Sequence, residues 1–202
     1  MKLYYSPGAC SLAAHIVARE AGLPVAIEKV DLASKKTESG ADFAAINPKG
    51  YVPALALDDG EVLTEVAAVV QFLADQAPGA GLAPAAGTMG RARLQEWLNF
   101  IATELHKGFS PLWNPAAPAE MKEIARQGLA RRLGYLDGVL AGREHLLSGG
   151  FSVADAYAFT ILSWGGYVGL DLAPYPAIVG YMARVGGRPG VRAALREEGL
   201  VP

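Results

Sequence analysis

The sequence has little cysteine, no long apolar run and no excess of one charge. Cys10 is the one cysteine among 202 residues, so an internal disulfide is impossible and a reducing, cytoplasmic location is expected. No apolar stretch reaches the roughly 18 residues that span a bilayer, and the opening segment Met1–Gly8 breaks before a signal-peptide core forms. With 18 basic and 20 acidic side chains and no basic run, neither nucleic acid nor a membrane is an expected partner.

Patterns typical of metal and phosphate sites are missing as well. The sequence contains no cluster with metal-ligand spacing, no glycine-rich phosphate loop and no Ser-His-Asp arrangement. His15 and His145 have no partner pattern and are assigned no role. We therefore expect no metal and no redox cofactor. The apolar fraction of 51% excludes a disordered chain and favours a folded, globular one.

Composition divides the chain in two near residue 80. Residues 78–87 hold two prolines, three glycines and no charge, which is typical of a linker, so we expect domains at 1–80 and 88–202. The first part alternates short apolar runs with helical patterns, in the order βαβ, α, ββα. The strands are predicted at 2–5, 26–30, 54–57 and 61–63, and the helices at 11–21, 41–46 and 65–76. The turn at 58–60 predicts a hairpin between the last two strands.

The second part is predicted to be helical throughout. Apolar residues recur at three- and four-residue spacing along one helix, at Leu94, Trp97, Leu98, Ile101 and Leu105. A second, polar face of this helix carries Gln95, Asn99, Thr103 and His106. Further on, Ser152 and Asp155 have the spacing of a capping box at the start of a buried helix, and we interpret them as structural.

Cys10 is the first candidate for chemistry. It follows a predicted strand and a turn and stands just before a helix, where backbone donors and the helix dipole favour an anion. The alternative is that a lone cysteine serves as a small buried apolar residue. Because no second cysteine exists, any thiol exchange needs a sulfur from a small molecule or another chain.

The loop Asn47–Leu55 is the second candidate. Pro53 directly precedes a short strand, where a cis bond is one possibility and a trans proline in an ordinary loop is the other. A cis bond turns the backbone groups of Val52 outward, so that they can pair with an extended, peptide-like ligand. Glu65 opens the next helix, either as a favourable charge at the dipole or as the partner of a ligand's ammonium group.

Taken together, these segments resemble the bacterial beta class of the glutathione transferase family. The resemblance covers essentially the whole chain and is carried by five segments in order. These are Met1–Ser11, Asn47–Leu55, Leu63–Glu65, Glu96–Phe109 and Ser152–Asp155. It implies a thioredoxin-like α/β N-terminal domain, an all-helical C-terminal domain and a homodimer. It also implies glutathione as co-substrate, bound on the N-terminal side of a cleft between the domains, with an apolar electrophile on the helical side.

The resemblance also implies a role for individual residues. Cys10, Ser11 and Tyr5 are expected near the glutathione sulfur, with His106 directed toward it. The tripeptide is expected to meet Val52 beside a cis Pro53, with Glu65 at its γ-glutamyl ammonium group and Lys35 near its glycine carboxylate. Asn99 and Lys107 are expected to reach into the cleft from the helical domain. Where the family often has serine or glycine after the glutamate, this sequence has Val66, so only its backbone amide can bind the γ-glutamyl carboxylate. Phe109, Trp113 and Trp164 are the residues expected near the electrophile.

Three activities fit this pattern. The first is conjugation of the glutathione thiolate to apolar electrophiles, which suggests a role in detoxification. The second is a glutathione-dependent thiol-disulfide oxidoreductase or peroxidase in which Cys10 is the nucleophile. The third is a non-catalytic ligand-binding protein that keeps the fold.

Overall fold

A five-stranded mixed sheet organises the first structural unit of the computed structural model, which describes all 202 residues. The spatial order is β3-β2-β1-β4-β5. The strands are β1 (Lys2–Tyr5), β2 (Ala26–Asp31), β3 (Lys36–Thr37), β4 (Ala54–Ala56) and β5 (Val62–Thr64). β1 and β2 run parallel, whereas β4 and β5 form the predicted antiparallel hairpin. The short strand β3 was not predicted, because two residues are too few for a periodic signal.

Helices cover the sheet of this unit. They are α1 (Leu12–Glu20), α2 (Phe43–Ile46) and α3 (Val66–Gln76), each shorter at its start than the sequence predicted. α1 connects the parallel strands β1 and β2 and packs against α3. Val69, Val70 and Leu73 of α3 are fully buried, as the helical spacing of apolar residues predicts. Burial of these apolar faces is the main source of stability for the unit.

The C-terminal segment belongs to this first unit. The chain divides into Met1–Ala83 with Gly187–Pro202 as one unit, and Pro84–Gly186 as the other. This differs from the predicted boundary, which assigned the whole range 88–202 to the helical domain. The physical reason is an ionic and hydrogen-bonded contact with α1. One carboxylate oxygen of Glu20 accepts from the Arg188 guanidinium at 2.6 Å, and the other accepts from the Gly190 amide at 3.1 Å.

Gly190 permits this contact because it has no side chain. A Cβ atom placed there would lie 2.7 Å from the Glu20 carboxylate. The segment continues as a helix, Pro189–Glu197, which packs on α1. The end of the chain thus becomes part of the unit that contains Cys10.

The second unit is helical, as predicted. Its helices are α4 (Met89–Phe100), α5 (Ser110–Trp113), α6 (Ala119–Leu140), α7 (Val153–Ser163) and α8 (Pro176–Gly186), and the C-terminal helix Pro189–Glu197 is α9. The predicted apolar stripe from Leu94 to Leu105 is buried at every position. Its helix is not continuous, however: α4 ends at Phe100 and a π-helix covers Ile101–His106. None of the helices combines the length and apolar character needed to cross a lipid bilayer.

α7 is the most enclosed helix of the second unit. Every residue from Val153 to Leu162 is buried. At its start, one carboxylate oxygen of Asp155 accepts from both the backbone amide and the hydroxyl of Ser152, each at 2.8 Å. This confirms the predicted capping box. The other oxygen accepts from the Leu146 amide at 2.9 Å and from the Tyr181 hydroxyl at 3.1 Å.

Candidate functional site

Cys10 lies in the turn between β1 and α1, where the sequence placed it. The turn runs from Ser6 through Gly8, whose φ of 71° is in the left-handed region that glycine adopts easily. The Cys10 side chain is half-buried, and its thiol donates to the backbone carbonyl of Val52 at a distance of 3.2 Å. The contact brings together two candidate segments that are 42 residues apart in sequence.

Ser11 closes the turn around Cys10. Its side chain is fully buried. The Ser11 hydroxyl accepts from the Ser6 amide at 3.2 Å and donates to the Ser6 carbonyl at 3.4 Å. The hydroxyl is therefore engaged within the turn itself. The expected position of Ser11 at a glutathione sulfur stays a prediction.

Tyr5 ends β1 just before the same turn. Its ring is 7% exposed and lies 5.9 Å from the His15 imidazole, centroid to centroid. Burial raises the pKa of Tyr5, with a further contribution from the negative charge of Glu198. A tyrosine is already protonated at neutral pH, and this shift extends the protonated form to higher pH.

His15 was assigned no role from the sequence, yet it holds a buried network behind the turn. Its Nδ1 lies 3.0 Å from a carboxylate oxygen of Glu198, and its Nε2 lies 2.8 Å from one of Glu197. The second oxygen of Glu198 accepts from the Gly8 amide at 2.9 Å. A hydrogen bond from Arg19 lowers the pKa of Glu197, and His15 adds to this effect. No sequence signal links these residues, because Glu198 is 183 positions away from His15.

The loop before β4 has the predicted cis bond between Val52 and Pro53. Asn47 is buried and organises the loop from within: its amide nitrogen donates to the Tyr51 carbonyl at 2.7 Å, and its side-chain oxygen accepts from the Lys49 amide at 3.1 Å. Lys35 reaches this loop from the other side. Its ammonium group donates to the Gly50 carbonyl at 2.7 Å.

Glu65 lies directly before α3, with a positive φ of 70° and an exposed side chain. One of its carboxylate oxygens accepts from the Lys49 ammonium group and from the Tyr51 hydroxyl, each at 2.7 Å. This hydrogen bond raises the pKa of Tyr51, and the pKa of Lys49 is raised in the same way. Val66 is buried as the first residue of α3. Sequence reasoning missed Lys49 and Tyr51, although both lie inside the loop that it selected.

In the second unit, His106 is the last residue of the π-helix. Its Nδ1 lies 2.7 Å from the hydroxyl oxygen of Tyr157 on α7, and its ring lies 4.9 Å from that of Trp164. π-helical turns are rare and are found frequently at functional sites. Lys107 and Asn99 are both exposed. The π-helix shifts the register after Phe100, so the predicted polar face does not continue unchanged to His106.

An aromatic cluster surrounds Trp164. The centroid of the Trp164 ring lies 5.8 Å from that of Phe109 and 5.7 Å from that of Trp113, both in edge-to-face geometry. The ring centroids of Trp113 and Tyr167 are 6.4 Å apart. Phe109 and Trp164 are buried, whereas Trp113 and Tyr167 are 46% and 68% exposed. Exposed aromatic rings held by buried ones form a surface that can bind an apolar molecule.

The predicted site residues therefore form two groups, one in each structural unit. The first unit brings together Cys10, Ser11 and Val52 at the turn, and it places Lys35 directly before β3 and Glu65 directly before α3. The second unit contains His106 with the aromatic cluster. No group of three or more metal-ligating side chains is present.

Comparison with known proteins gives the same family for both units. Residues 8–76 match the model described as glutathione S-transferase, N-terminal domain, and residues 100–189 match the C-terminal domain of the same family. The chain is 47% identical to glutathione S-transferase GstA of Escherichia coli O157:H7, over 99% of this chain and 100% of that protein.

Two solved structures are also similar over their full lengths. A sphingomonad glutathione S-transferase, complexed with glutathione, is 51% identical with a TM-score of 0.96, and all of each chain is covered. The bacterial beta-class enzyme of Sphingomonas chungbukensis is 49% identical with a TM-score of 0.97, again covering all of each chain.

Proposed function

Because this chain belongs to the glutathione S-transferase family and has beta-class members among its structural relatives, we propose that it conjugates the glutathione thiol to apolar electrophiles. The observation that carries the proposal is the meeting of Cys10 with Val52 in a fold shared with a glutathione-bound relative. In the first unit the Cys10 sulfur lies next to the Val52 carbonyl, a backbone group that can accept a hydrogen bond from an extended peptide.

In this proposal the first unit binds the tripeptide by charge and by backbone pairing. Val52 pairs with the cysteinyl backbone of glutathione, and Glu65 accepts from the γ-glutamyl ammonium group. The Glu65 carboxylate already receives two donors, Lys49 and Tyr51, which supports its assignment as an acceptor for a cationic group. Lys35 serves the glycine carboxylate, and the backbone amide of Val66 serves the γ-glutamyl carboxylate.

The second unit supplies the residues for the electrophile. The exposed rings of Trp113 and Tyr167 give an apolar surface, and His106 and Lys107 contribute polar groups. Asn99 lies on the preceding helix and contributes a further polar contact. In the reaction the glutathione thiol gives its proton to water and the thiolate forms a carbon–sulfur bond with the electrophile. The bond from that carbon to the leaving group breaks, and its electron pair departs with the leaving group. The protein contributes positioning and stabilisation of the anion.

A second activity, thiol-disulfide exchange, is favoured by the position of the Cys10 sulfur. The thiol lies at the start of α1 and is half-buried, not sealed into the core. As a thiolate, Cys10 attacks the glutathione sulfur of a disulfide between glutathione and another thiol, forms a Cys10–glutathione disulfide and expels the other thiol as a thiolate. A second glutathione then attacks the mixed disulfide, releases oxidised glutathione and restores Cys10.

A steady-state screen with glutathione and varied electrophiles tests the conjugation proposal. We expect turnover with at least one planar, apolar electrophile, and intact-mass measurement of the same protein tests for a glutathione adduct on Cys10. Glutathione binding without turnover across the whole panel favours a ligand-binding protein instead. The dimer, the cytoplasmic location and the role in detoxification belong to the proposal, and the dimer is tested by sedimentation.

A further inference from the structure

The hydroxyl oxygen of Tyr157 and Nδ1 of His106 are 2.7 Å apart, although 51 residues separate them in sequence. Tyr157 is 2% exposed and lies in the most buried helix of the second unit. A distance this short is at the strong end for a hydrogen bond to an imidazole nitrogen. The contact therefore restrains the side chain on which the proposed chemistry depends.

The His106 ring is restrained from a second direction as well. Trp164 lies against it at 4.9 Å, with the two rings inclined at 74°. Tyr157 also presents its ring to the imidazole at 5.9 Å and 89°. With one nitrogen hydrogen-bonded and two aromatic rings packed against it, the imidazole is held in one orientation.

Tyr157 is itself held rigidly by its helix. Asp155, two positions earlier, fixes the start of α7 through Ser152 and Leu146. The Tyr181 hydroxyl contacts both the carboxylate and the backbone carbonyl of Asp155. Because α7 is well anchored, the Tyr157 hydroxyl cannot follow the His106 imidazole if that ring turns. The contact therefore requires the imidazole to keep its orientation.

We propose that Tyr157 is a positioning residue that fixes the tautomer of His106. A neutral imidazole has one donor nitrogen and one acceptor nitrogen, and the partner of one decides the role of the other. The 2.7 Å contact allows either group to donate. In this proposal the Tyr157 hydroxyl donates to Nδ1, because a phenol O–H is the stronger donor and an imidazole nitrogen the stronger acceptor, so the ring proton is carried by Nε2. This inference rests on the function proposed for His106 and makes it more specific.

The tautomer determines what His106 does in the reaction. With the proton on Nε2, the imidazole offers an N–H donor and has no second lone pair available as a base. It therefore stabilises a thiolate, or negative charge that develops on the electrophile, and does not remove the proton of glutathione. Tyr157 acts only through His106 and does not contact the substrate.

Nitrogen NMR of the imidazole rings tests this directly. The chain has three histidines, so the long-range proton–nitrogen spectrum is simple, and His106→Gln identifies the His106 signals by their loss. At a pH where the ring is neutral, we expect Nδ1 to resonate as an acceptor nitrogen and Nε2 as an N–H nitrogen. A wild-type spectrum in which the assigned His106 signals show the proton on Nδ1 overturns the proposal.

The variant Tyr157→Phe removes the hydroxyl and keeps the ring. We expect its His106 signals to move toward a mixture of the two tautomers, and kcat for conjugation to fall roughly three- to tenfold while KM for glutathione changes less than about twofold. Unchanged nitrogen signals contradict the proposal. Tyr175→Phe is the control: it removes a tyrosine hydroxyl that donates to the Ala130 carbonyl, so its His106 signals should stay as in the wild type.

The function of His106 and the positioning role of Tyr157 can be tested separately. If His106→Gln leaves kcat unchanged, the function proposed for His106 is wrong, whatever the nitrogen spectra show. If His106→Gln lowers kcat but Tyr157→Phe changes neither the spectrum nor kcat, the proposed function stands and the positioning role of Tyr157 is refuted.

Discussion

The thiol of Cys10 donates to the backbone carbonyl of Val52, 3.2 Å away. The carbonyl belongs to the residue before the cis Pro53, so the contact joins the turn after β1 to the loop before β4. β1 and β4 are neighbouring antiparallel strands, so the end of β1 lies beside the start of β4. This explains why the turn after β1 and the loop before β4 meet. In the proposed function, a bound glutathione competes with this thiol for the Val52 carbonyl.

Replacing Cys10 with alanine separates the two sulfur chemistries. We expect Cys10→Ala to retain conjugation within about tenfold of the wild type, since glutathione then carries the reactive sulfur and positioning by other residues persists. Disulfide exchange and the glutathione adduct detected by mass spectrometry should both disappear. Parallel assays with an electrophile and with a glutathione mixed disulfide measure this. Loss of both activities in a folded variant would mean that Cys10 is needed for conjugation too.

Glu65→Gln tests the proposed ammonium site. Loss of a charge-assisted hydrogen bond costs roughly 1.5–3 kcal/mol, so KM for glutathione should rise about tenfold or more while kcat changes less. Titration of glutathione at a saturating electrophile concentration gives both constants. Glu61→Gln is the matched control, because this exposed carboxylate lies four residues earlier on the same hairpin and outside the proposed site. Equal effects in the two variants would point to general electrostatics.

Local patterns in the sequence were sufficient for much of the fold, but long-range contacts were not. The buried stripe along α4, the hairpin and the capping box at Ser152 follow from spacings of two to four residues. The network of His15 and Glu198 depends on a chain end that returns to the first unit, which no short spacing encodes. The π-helix was missed because its extra residue does not disturb the burial of Leu105.

Glu198→Ala is expected to destabilise the turn that contains Cys10. The Glu198 side chain is fully buried between His15 and the Gly8 amide, so removing it leaves buried polar groups without a partner, at a cost of about 2–4 kcal/mol. Chemical denaturation measures the free energy of unfolding. Glu197→Ala provides the comparison: it also removes a partner of His15, but that carboxylate is 38% exposed, so its loss should cost less than the loss of Glu198. A similar loss of unfolding free energy in both variants would show that the contribution of Glu198 to stability does not depend on its burial.

The stability of the first unit should also depend on the ionisation of Glu28. Hydrogen bonds from Lys2 and Ser39 lower the pKa of Glu28 to about 2. A carboxyl with a pKa near 4.3 when unfolded thus contributes stability that is complete above about pH 5 and is lost as the pH falls toward 2. Since Lys2 is 45% exposed, we discount the full shift and expect about 1–2 kcal/mol.

Glu28→Gln makes this contribution measurable. At pH 7 the variant should be less stable than the wild type by that amount, and the difference should shrink steadily between about pH 5 and pH 2, where the wild-type carboxyl becomes protonated and resembles the amide. Urea denaturation across this range gives the free energy of unfolding of each protein. Glu61→Gln, which removes an exposed carboxylate, should show no such convergence. A Glu28→Gln difference that is constant with pH would assign the loss to packing and not to charge.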